Sequence, residues 1–400
     1  MANTINYAQI FNSVIDQIFY VMPRTMWMEN TMPGLVWNNG KQINIPKLST
    51  PGLGNMNGYK APSGDMVLDY ETKELQYYRG RNLTLGRYDV EMTNFAATVG
   101  NALNVFLKKD VIPEMDKLRL SQAATAAYGA GFVSYYTPDA GTILAAILGD
   151  IAAVQDQIGE DEQLYINIST QVKNILMNSD KITKFIDSRD FSVRSFNVLM
   201  EALNGQYLIG TTSSYMKSAF NLIDGADSST GGVVADPLAQ GINWIVAARP
   251  AVDSIARPQI TKVIDPDTNQ EGEFWKIMFS IYHGCWAYDN KLNGLRVSVN
   301  SSALGQLTVT STSGGSGVTT LTAEVNNVAY IVPAGYSLFY KAQASTAPTV
   351  AQGTALDSTW TQLANGSSVA ATNGHKVTVV LAAAGSKLPL ASGDATVVAG

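Results

Sequence analysis

One cysteine, Cys285, stands in 400 residues. Without a second thiol the chain closes no disulfide on itself and builds no thiolate metal cluster, so its stability must come from burial and from partners. A lone cysteine also suits a reducing cytoplasm. Charge is scarce as well. Asp, Glu, Lys and Arg make up 15% of the chain and hydrophobic residues 46%, whereas soluble domains carry roughly 25% charged residues. Much of the surface is therefore expected to be covered by something. Positive charge is in deficit, with 27 Lys and Arg against 33 Asp and Glu and a net charge of -6. Tight DNA binding by counterion release needs the opposite balance, so contact with DNA is expected to be weak and nonspecific. No apolar run approaches the roughly 18 residues of a membrane span, and Met1 to Ile10 lacks a basic region followed by an apolar stretch. Neither a membrane span nor a signal peptide is expected.

The usual chemical constellations are missing too. No G-x-x-x-x-G-K-[ST] phosphate loop occurs, and Gly52, Gly54 and Gly58 are wrongly spaced for a dinucleotide fingerprint. Asp265, Asp267, Asn269 and Glu271 imitate the opening of a calcium loop, but its glycine and final carboxylate positions hold Gln270 and Lys276, so a turn between strands is expected. His283 and Cys285 are two apart and share a strand face. That spacing suits a base and nucleophile, yet the same face bears Trp275, Ile277, Phe279 and Ile281, which favours a packed histidine beside a buried thiol. His375 adjoins the Asn373-Gly374 turn, far from any partner. Glu160-Asp161-Glu162 reads as a solvated turn and Asn82-Leu83-Thr84 as a chance triplet. No catalytic, cofactor or metal residue is predicted.

What is present is a sequence of distinct segments. Phe11, Ile15, Ile18 and Phe19 lie at helical spacing in an apolar amino-terminal stretch that continues through Trp27 to Trp37. Residues 47–88 open Pro/Gly-rich and continue into two charged strands, Asp65 to Glu74 and Leu75 to Arg87, read as a long hairpin that buries no face alone. From Thr93 or Asn94 a helix of about 50 Å is expected to reach Tyr128, with a kink or break near Pro113. Helices are predicted at about Thr142 to Ile158, Val172 to Asn178 and Val193 to Leu203. Strands are predicted at Leu164 to Ile168, Tyr207 to Gly210 after a Gly205 turn, Trp244 to Ala247, and Glu273 to Tyr288. Beyond Asn300 composition shifts to Ser, Thr, Gly, Ala and Val, with short β-rich runs between turn signals. This predicts a separate β-sandwich, immunoglobulin-like.

The order of these parts resembles the tailed-bacteriophage major capsid family over roughly residues 1–299. Asp110-Val-Ile-Pro-Glu-Met-Asp116 looks like the family's spine-helix signature, and Leu203-Asn-Gly-Gln-Tyr-Leu-Ile209 followed by Met216 like its axial turn and strand. Ile264-Asp-Pro-Asp-Thr-Asn-Gln270, Phe274-Trp-Lys276 and Ile281-Tyr-His283 are similar to the closing strands of capsid proteins from phages of Gram-positive bacteria. The resemblance implies an α+β fold with an amino-terminal arm (1–46), an extended loop (47–88), a peripheral domain with a spine helix (89–165), an axial domain (166–254) and return strands (255–299), before the sandwich at 300–400. It further implies a homo-oligomeric lattice of hexamers and pentamers in a virion assembled in the host cytoplasm, with scaffold and portal proteins as partners and no catalysis.

In such a lattice Phe11, Ile15, Trp27 and Trp37 would dock beneath neighbours. Tyr70, Tyr77 and Tyr78 would supply contact area on a neighbouring subunit, where Arg79, Arg81 and Arg87 meet carboxylates. Some relatives crosslink a loop lysine, for which Lys60 or Lys73 would be the donor here, although no acceptor motif accompanies them. Two other classes remain open: an adhesive or tube-forming surface subunit, and a polysaccharide hydrolase with paired carboxylates and an accessory sandwich.

Overall fold

The computed structural model describes residues 24–29, 36–38, 42–88, 99–179, 186–193, 196–226, 230–301 and 304–400. A short 3₁₀ turn, Met26–Met28, precedes strands β1 (Val36–Asn38), β2 (Gln42–Ser49), β3 (Val67–Glu74) and β4 (Tyr77–Gly86). The expected hairpin of the two charged strands does not form. β3 pairs with β2, from Gln42–Glu74 out to Ser49–Val67, whereas β4 pairs along its length with a strand two hundred residues away, Phe274–Ala287. The two-residue link Leu75-Gln76 hands the chain from one sheet to another. Leu75 itself is buried.

Helix α1 (Val99–Phe106) runs through a π-helical turn, Leu107–Val111, into α2 (Ile112–Ala130). The kink or break expected near Pro113 falls instead at this widened turn, in which Ile112 N–H reaches back to Leu107 O. One extra residue in a turn rotates the apolar stripe, and Pro113 falls in the first turn of α2. Gly131, at φ +80, ends α2 in the left-handed conformation that a Cβ disfavours. Residues before Val99, where the helix is expected to begin, lie outside those described.

The central layer is a sheet ordered β5-β15-β12-β6-β9-β8-β7. Its members are β5 (Val133–Tyr135), β6 (Leu164–Ser169), β7 (Ile186–Val193), β8 (Phe196–Leu203), β9 (Gln206–Thr211), β12 (Ile242–Ala248) and β15 (Leu295–Val299), with the small ribbon β10 (Phe220–Leu222) and β11 (Val233–Ala235) between them in the chain. Helix α3 (Ile143–Ile158) lays Ile143, Ile147, Ile151 and Val154 against this core, and α4 (Thr170–Met177) adds Val172 and Leu176. Ser169 caps α4 by accepting from Val172 N–H at 3.4 Å. Asp150 is buried, and its oxygens accept from Arg296 Nε at 2.7 Å and Trp244 Nε1 at 2.8 Å.

The helix expected at Val193 to Leu203 is a strand. Leu, Met, Glu and Ala give Phe196–Leu203 good helix propensity, but β8 pairs with β7 on one side and with β9 on the other. Asn204 and Gly205, both at positive φ, make the two-residue turn into β9. Ladder bonds on two sides outweigh a propensity difference of at most about 0.7 kcal/mol per residue.

Strands β13 (Val252–Ile264) and β14 (Phe274–Ala287) form a long antiparallel pair completed by β4. Along β14, Ile277, Phe279, Ile281, His283 and Cys285 are buried on one face, as the alternation predicts. The first three pack with Leu103, Leu107 and Met115.

The carboxy-terminal part holds two sheets. One is ordered β16-β24-β23-β20-β21 and comprises β16 (Gly305–Gln306), β20 (Tyr336–Gln343), β21 (Thr361–Leu363), β23 (Lys376–Ala383) and β24 (Pro389–Thr396). The other joins β17 (Thr308–Gly315), β18 (Val318–Val325) and β19 (Val328–Ala329), with β22 (Ser367–Ala370) also paired to β18. Short strands run through this part, as its composition predicts, but the module is not separate. Its core is continuous with that of α2: Tyr128 meets the Tyr336 ring edge-on, Tyr330 donates to Asp236 at 2.9 Å, Gln240 donates to Leu390 O at 3.3 Å, and Ser386 donates to Tyr128 O.

Candidate inter-subunit contact surface

From the outer rungs of the β2–β3 ladder onward, every residue from Leu48 to Tyr70 is exposed. The chain leaves at Ser49, travels to Gly58 and returns at Val67, about nine residues each way, so the projection reaches about 30 Å. It is held as a ribbon by its own chemistry. A Cβ on Gly54 would stand 2.6 Å from the Pro62 ring, and one on Gly64 would collide with the Pro51 ring. Glycine facing proline on both rungs lets the two arms run side by side. At the tip Asn57 and Lys60 exchange both backbone hydrogen bonds, at 3.0 and 3.1 Å, around Gly58 at φ +62. A glycine first in a two-residue turn is the II′ pattern. The side chains carried outward are apolar: Leu48, Leu53, Met56, Tyr59, Met66, Val67, Leu68 and Tyr70, with Leu53 and Tyr59 wholly exposed.

The base is fixed by a different device. Ile43, Ile45 and Leu75 pack with Trp286 and Tyr288, and just outside them Lys47 and Lys73 bridge two carboxylates. Lys47 lies 3.0 Å from Glu71 and 2.7 Å from Asp289, and Lys73 2.5 Å from Glu71 and 3.3 Å from Asp289. Burial alone would raise the Asp289 carboxyl, but hydrogen bonding with Lys47, Glu71 and Lys73 holds it down at about 2.

The residues expected at subunit contacts divide. Lys60 and Tyr70 stand on the exposed ribbon, while Lys73 belongs to the ionic base. Tyr77 turns inward, while Tyr78 lies on the opposite, exposed face of β4. Tyr77 OH accepts from Gln122 Nε2 at 2.6 Å and its ring lies 5.1 Å from His283; Tyr78 stacks on Tyr282 at 4.1 Å. The arginines find partners within the chain, contrary to expectation. Arg79 binds Glu114 at 2.6 Å and the carbonyls of Ile223 and Gly232 at 3.0 Å; Arg81 donates to Thr230 O at 2.7 Å; Arg87 donates to Asp267 at 3.2 Å. Trp27, expected beneath a neighbour, is buried in its own chain, stacked on Tyr165 at 4.9 Å with Nε1 donating to Asn167 at 2.9 Å. Its neighbours explain why: Thr25 and Glu29 are held by Asp116 and Arg119 of α2. Trp37 lies in β1 opposite Ile43. Phe11 and Ile15 lie outside the described residues.

Sequence reasoning missed the apolar ribbon residues themselves. Leu53, Met56 and Tyr59 follow neither a period of 2 nor of 3.6, so periodicity has nothing to detect. The available signal was apolar residues set within a Pro/Gly-rich stretch. Full burial of a side chain of that size is worth about 1.5–3 kcal/mol, against about 0–1 kcal/mol for an exposed ion pair. Were the ribbon to meet another surface, the tip would outweigh Lys60 as a source of association energy.

A cavity of about 440 Å³ lies between β4, the start of α2 and the loop after β10. Its opposite charges answer one another at the Arg79–Glu114 pair. His283 borders it, but burial first, then Arg119 and Arg79, pull the imidazole down to about 3, and burial pushes the Cys285 thiol up to about 12. At neutral pH these are an uncharged ring and a protonated thiol, unsuited to nucleophilic work. The turn Asp265 to Glu271 spends its oxygens internally, on Trp275, Arg87 and Lys276. Among the described residues no cluster of acidic, histidine or cysteine side chains has the makings of a metal site, and no helix is long and apolar enough to cross a membrane.

No family model matches the chain, and no curated protein matches it by sequence. Solved structures do. The capsid of cyanophage P-SCSP1u is 11% identical with a TM-score of 0.48, over 67% of this chain and 86% of that one. The mature capsid of bacteriophage PhiM1 is 12% identical with a TM-score of 0.45, over 68% and 90%. A structure from Mycobacterium phage Che8 is 9% identical with a TM-score of 0.43, over 65% and 85%. These phage proteins are what about two-thirds of this chain is similar to in structure.

Proposed function

We propose that this chain is the major shell subunit of a tailed-bacteriophage head, joining copies of itself as hexamers and pentamers around double-stranded DNA. The observation that carries the reading is the ribbon. Residues 48–70 are all exposed, eight large hydrophobic side chains among them, and exposed apolar surface of this extent marks an interaction site in soluble proteins. A self-assembling subunit gives every copy a neighbour on which to bury it. The acidic net charge of -6 suits a wall that touches packaged DNA only weakly.

Within this reading the arm is residues 1–46, the extended loop 47–88, the peripheral domain 89–165 with return strands at 255–299, and the axial domain 166–254. The two sheets beyond residue 300 are read as an immunoglobulin-like sandwich. Scaffold and portal proteins are the partners expected during assembly in the host cytoplasm, and the chain's role is structural, without catalysis.

Negative-stain microscopy of the full chain, alone and co-expressed with the scaffold of the same virus, tests the proposal. Closed shells or hexameric and pentameric capsomers are expected. A strictly monomeric chain under both conditions overturns it, and tubes in place of shells would favour the adhesive or tube-forming alternative.

A further inference from the structure

An asparagine followed by glycine carries its own reaction partner: the glycine nitrogen attacks the asparagine Cγ, and no side chain on the second residue blocks the approach. The chain has such pairs at Asn39, Asn57, Asn204, Asn293, Asn365 and Asn373. Asn39 lies outside the described residues, and the fold restrains four of the others. Asn365 Oδ1 accepts from Ala323 N–H at 2.7 Å, its Nδ2 donates to the carbonyls of Ala323 and Tyr330 at 2.9 Å, and Gly366 N–H is spent on Leu321 O. Asn373 Oδ1 accepts from Ala399 N–H at 3.2 Å, and Gly374 N–H donates to Val397 O. Asn293 lies in the 3₁₀ turn Asp289–Gly294, and a Cβ on the buried Gly294 would stand 3.1 Å from Ala251 and 3.2 Å from Ala248, so that peptide has little room to swing. Asn204, at φ +50, is left-handed. That conformation sets the next nitrogen across Cα from Cβ, away from Cγ.

Asn57 escapes all of these restraints. It and Gly58 are both exposed, and nothing lies within 4 Å of the place a Cβ on Gly58 would take. The two backbone bonds of the tip use Asn57 N–H and Asn57 O, with Lys60 as the partner of both. Among the described residues neither the Asn57 carboxamide nor Gly58 N–H has a hydrogen-bond partner. Swinging the Asn57–Gly58 peptide toward Cγ therefore breaks one exposed hydrogen bond, from Lys60 N–H, and displaces no packed side chain.

We infer that Asn57 is a site of spontaneous deamidation in the native chain. Gly58 N forms a bond to Asn57 Cγ and gives up its proton; the Cγ–Nδ2 bond breaks, and the amide nitrogen leaves with that proton as ammonia. The five-membered imide then takes up one water, which opens it at either carbonyl to leave aspartate or isoaspartate at position 57. Water is the only reactant consumed. Both products put a carboxylate at the tip between Met56 and Gly58, and isoaspartate also adds a backbone atom between the N–H and C=O that Lys60 engages, so the paired bonds no longer close. The reaction belongs to the local geometry and holds whether or not the chain builds shells.

Timed peptide mapping tests the site. The full chain, dilute and shown by sedimentation to be unassociated, is held for days in mildly alkaline buffer, once native and once unfolded in guanidinium chloride. Samples are digested at intervals, and each pair is read by the amide-to-acid mass shift. Unfolded, all the pairs should convert at similar rates. In the native chain Asn57 should keep its unfolded rate within a few-fold, while Asn204, Asn293, Asn365 and Asn373 slow by about tenfold or more, because bonds or packing must open first. Native Asn57 slowed as far as those four overturns the inference, as does conversion at any of the four that outruns Asn57. Shell formation enters neither outcome, so the reading of a shell subunit stands or falls separately.

Discussion

Thr25 Oγ1 donates a 2.6 Å hydrogen bond to Asp116 Oδ1, and both residues are buried although 91 positions separate them. The same carboxylate accepts from the backbone of Arg24 at 2.9 Å and of Thr25 at 3.3 Å, while Arg119, 1% exposed, reaches Thr25 Oγ1 and pairs with Glu29 at 2.8 Å. The chain is thereby pinned to α2 just before the 3₁₀ turn.

Asp116→Ala removes three accepted hydrogen bonds and leaves Arg119 with Glu29 as its ion-pair partner, so a loss of about 3–5 kcal/mol is expected by urea unfolding. Asp116→Asn should cost less, about 1–3 kcal/mol. Burial raises the folded carboxyl above its ordinary 3.8, against the pull of Thr25, Arg24 and Arg119. A raised folded value makes the native state hold the proton more tightly. The contribution is then fully present below pH 3.8 and is lost as pH rises through the folded value. The penalty of Asp116→Asn should accordingly shrink between pH 3.5 and neutrality, on the order of the window these values span; a penalty that grows would show that attraction to Arg119 outweighs burial.

Asp289 has the opposite sign. Its folded value, held at about 2, lies below the ordinary 3.8, so its contribution is present above 3.8 and disappears as pH falls toward 2. Amide protection in Gln42–Ser49 and Val67–Glu74, taken relative to the intrinsic exchange rate at each pH, should fall several-fold over that acid range. Asp289→Asn should exchange faster already at pH 7 and lose the acid step. Because the ion quartet is partly exposed, added salt should mimic the substitution.

Cys285 should resist alkylation. With the thiol held at about 12 by burial, iodoacetamide at pH 8 should leave the native chain unlabelled after hours, while urea-unfolded chain labels fully. Rapid native labelling, read by intact mass, would revive the Cys–His reading.

Gly385→Ala probes the junction between the carboxy-terminal sheets and α2. A Cβ there would stand 2.5 Å from Gly129 O, a backbone atom that cannot swing aside. A loss of about 1–3 kcal/mol is expected, with one cooperative transition for the whole chain. Two separate transitions would mean that the sheets fold independently of the body.

Replacing Leu53–Gly64 with a short Gly/Ser linker removes residues that contact nothing in the described body. Unfolding should shift by no more than about 0.5 kcal/mol, while shells are lost. Unimpaired assembly would deny the ribbon its contact role.

Several elements are legible locally. The alternation along Phe274–Ala287, the stripe of Ile143, Ile147, Ile151 and Val154, the apolar run Leu164–Ile168 and the Asn204-Gly205 turn each follow from period or turn chemistry within a dozen residues. Phe196–Leu203 misleads because its composition favours a helix and only two flanking strands make it a strand. Val67–Glu74 and Tyr77–Gly86 mislead because adjacency suggests a hairpin, while each pairs instead with another strand, at Gln42–Ser49 and Phe274–Ala287.

The contact surface divides along the same line. Sequence alone marked 47–88 as a Pro/Gly-rich approach to two charged strands that bury no face by themselves. Tertiary structure alone decided that Arg79, Arg81 and Arg87 bind within the chain, that Trp27 is core, that the sheets beyond residue 300 share that core, and that the apolar tip at Leu53, Met56 and Tyr59 is left uncovered. The reason is physical: an ion pair or a buried ring needs a partner within a few ångströms, and which residues come that close is set by strand pairing across hundreds of positions, on which local pattern is silent.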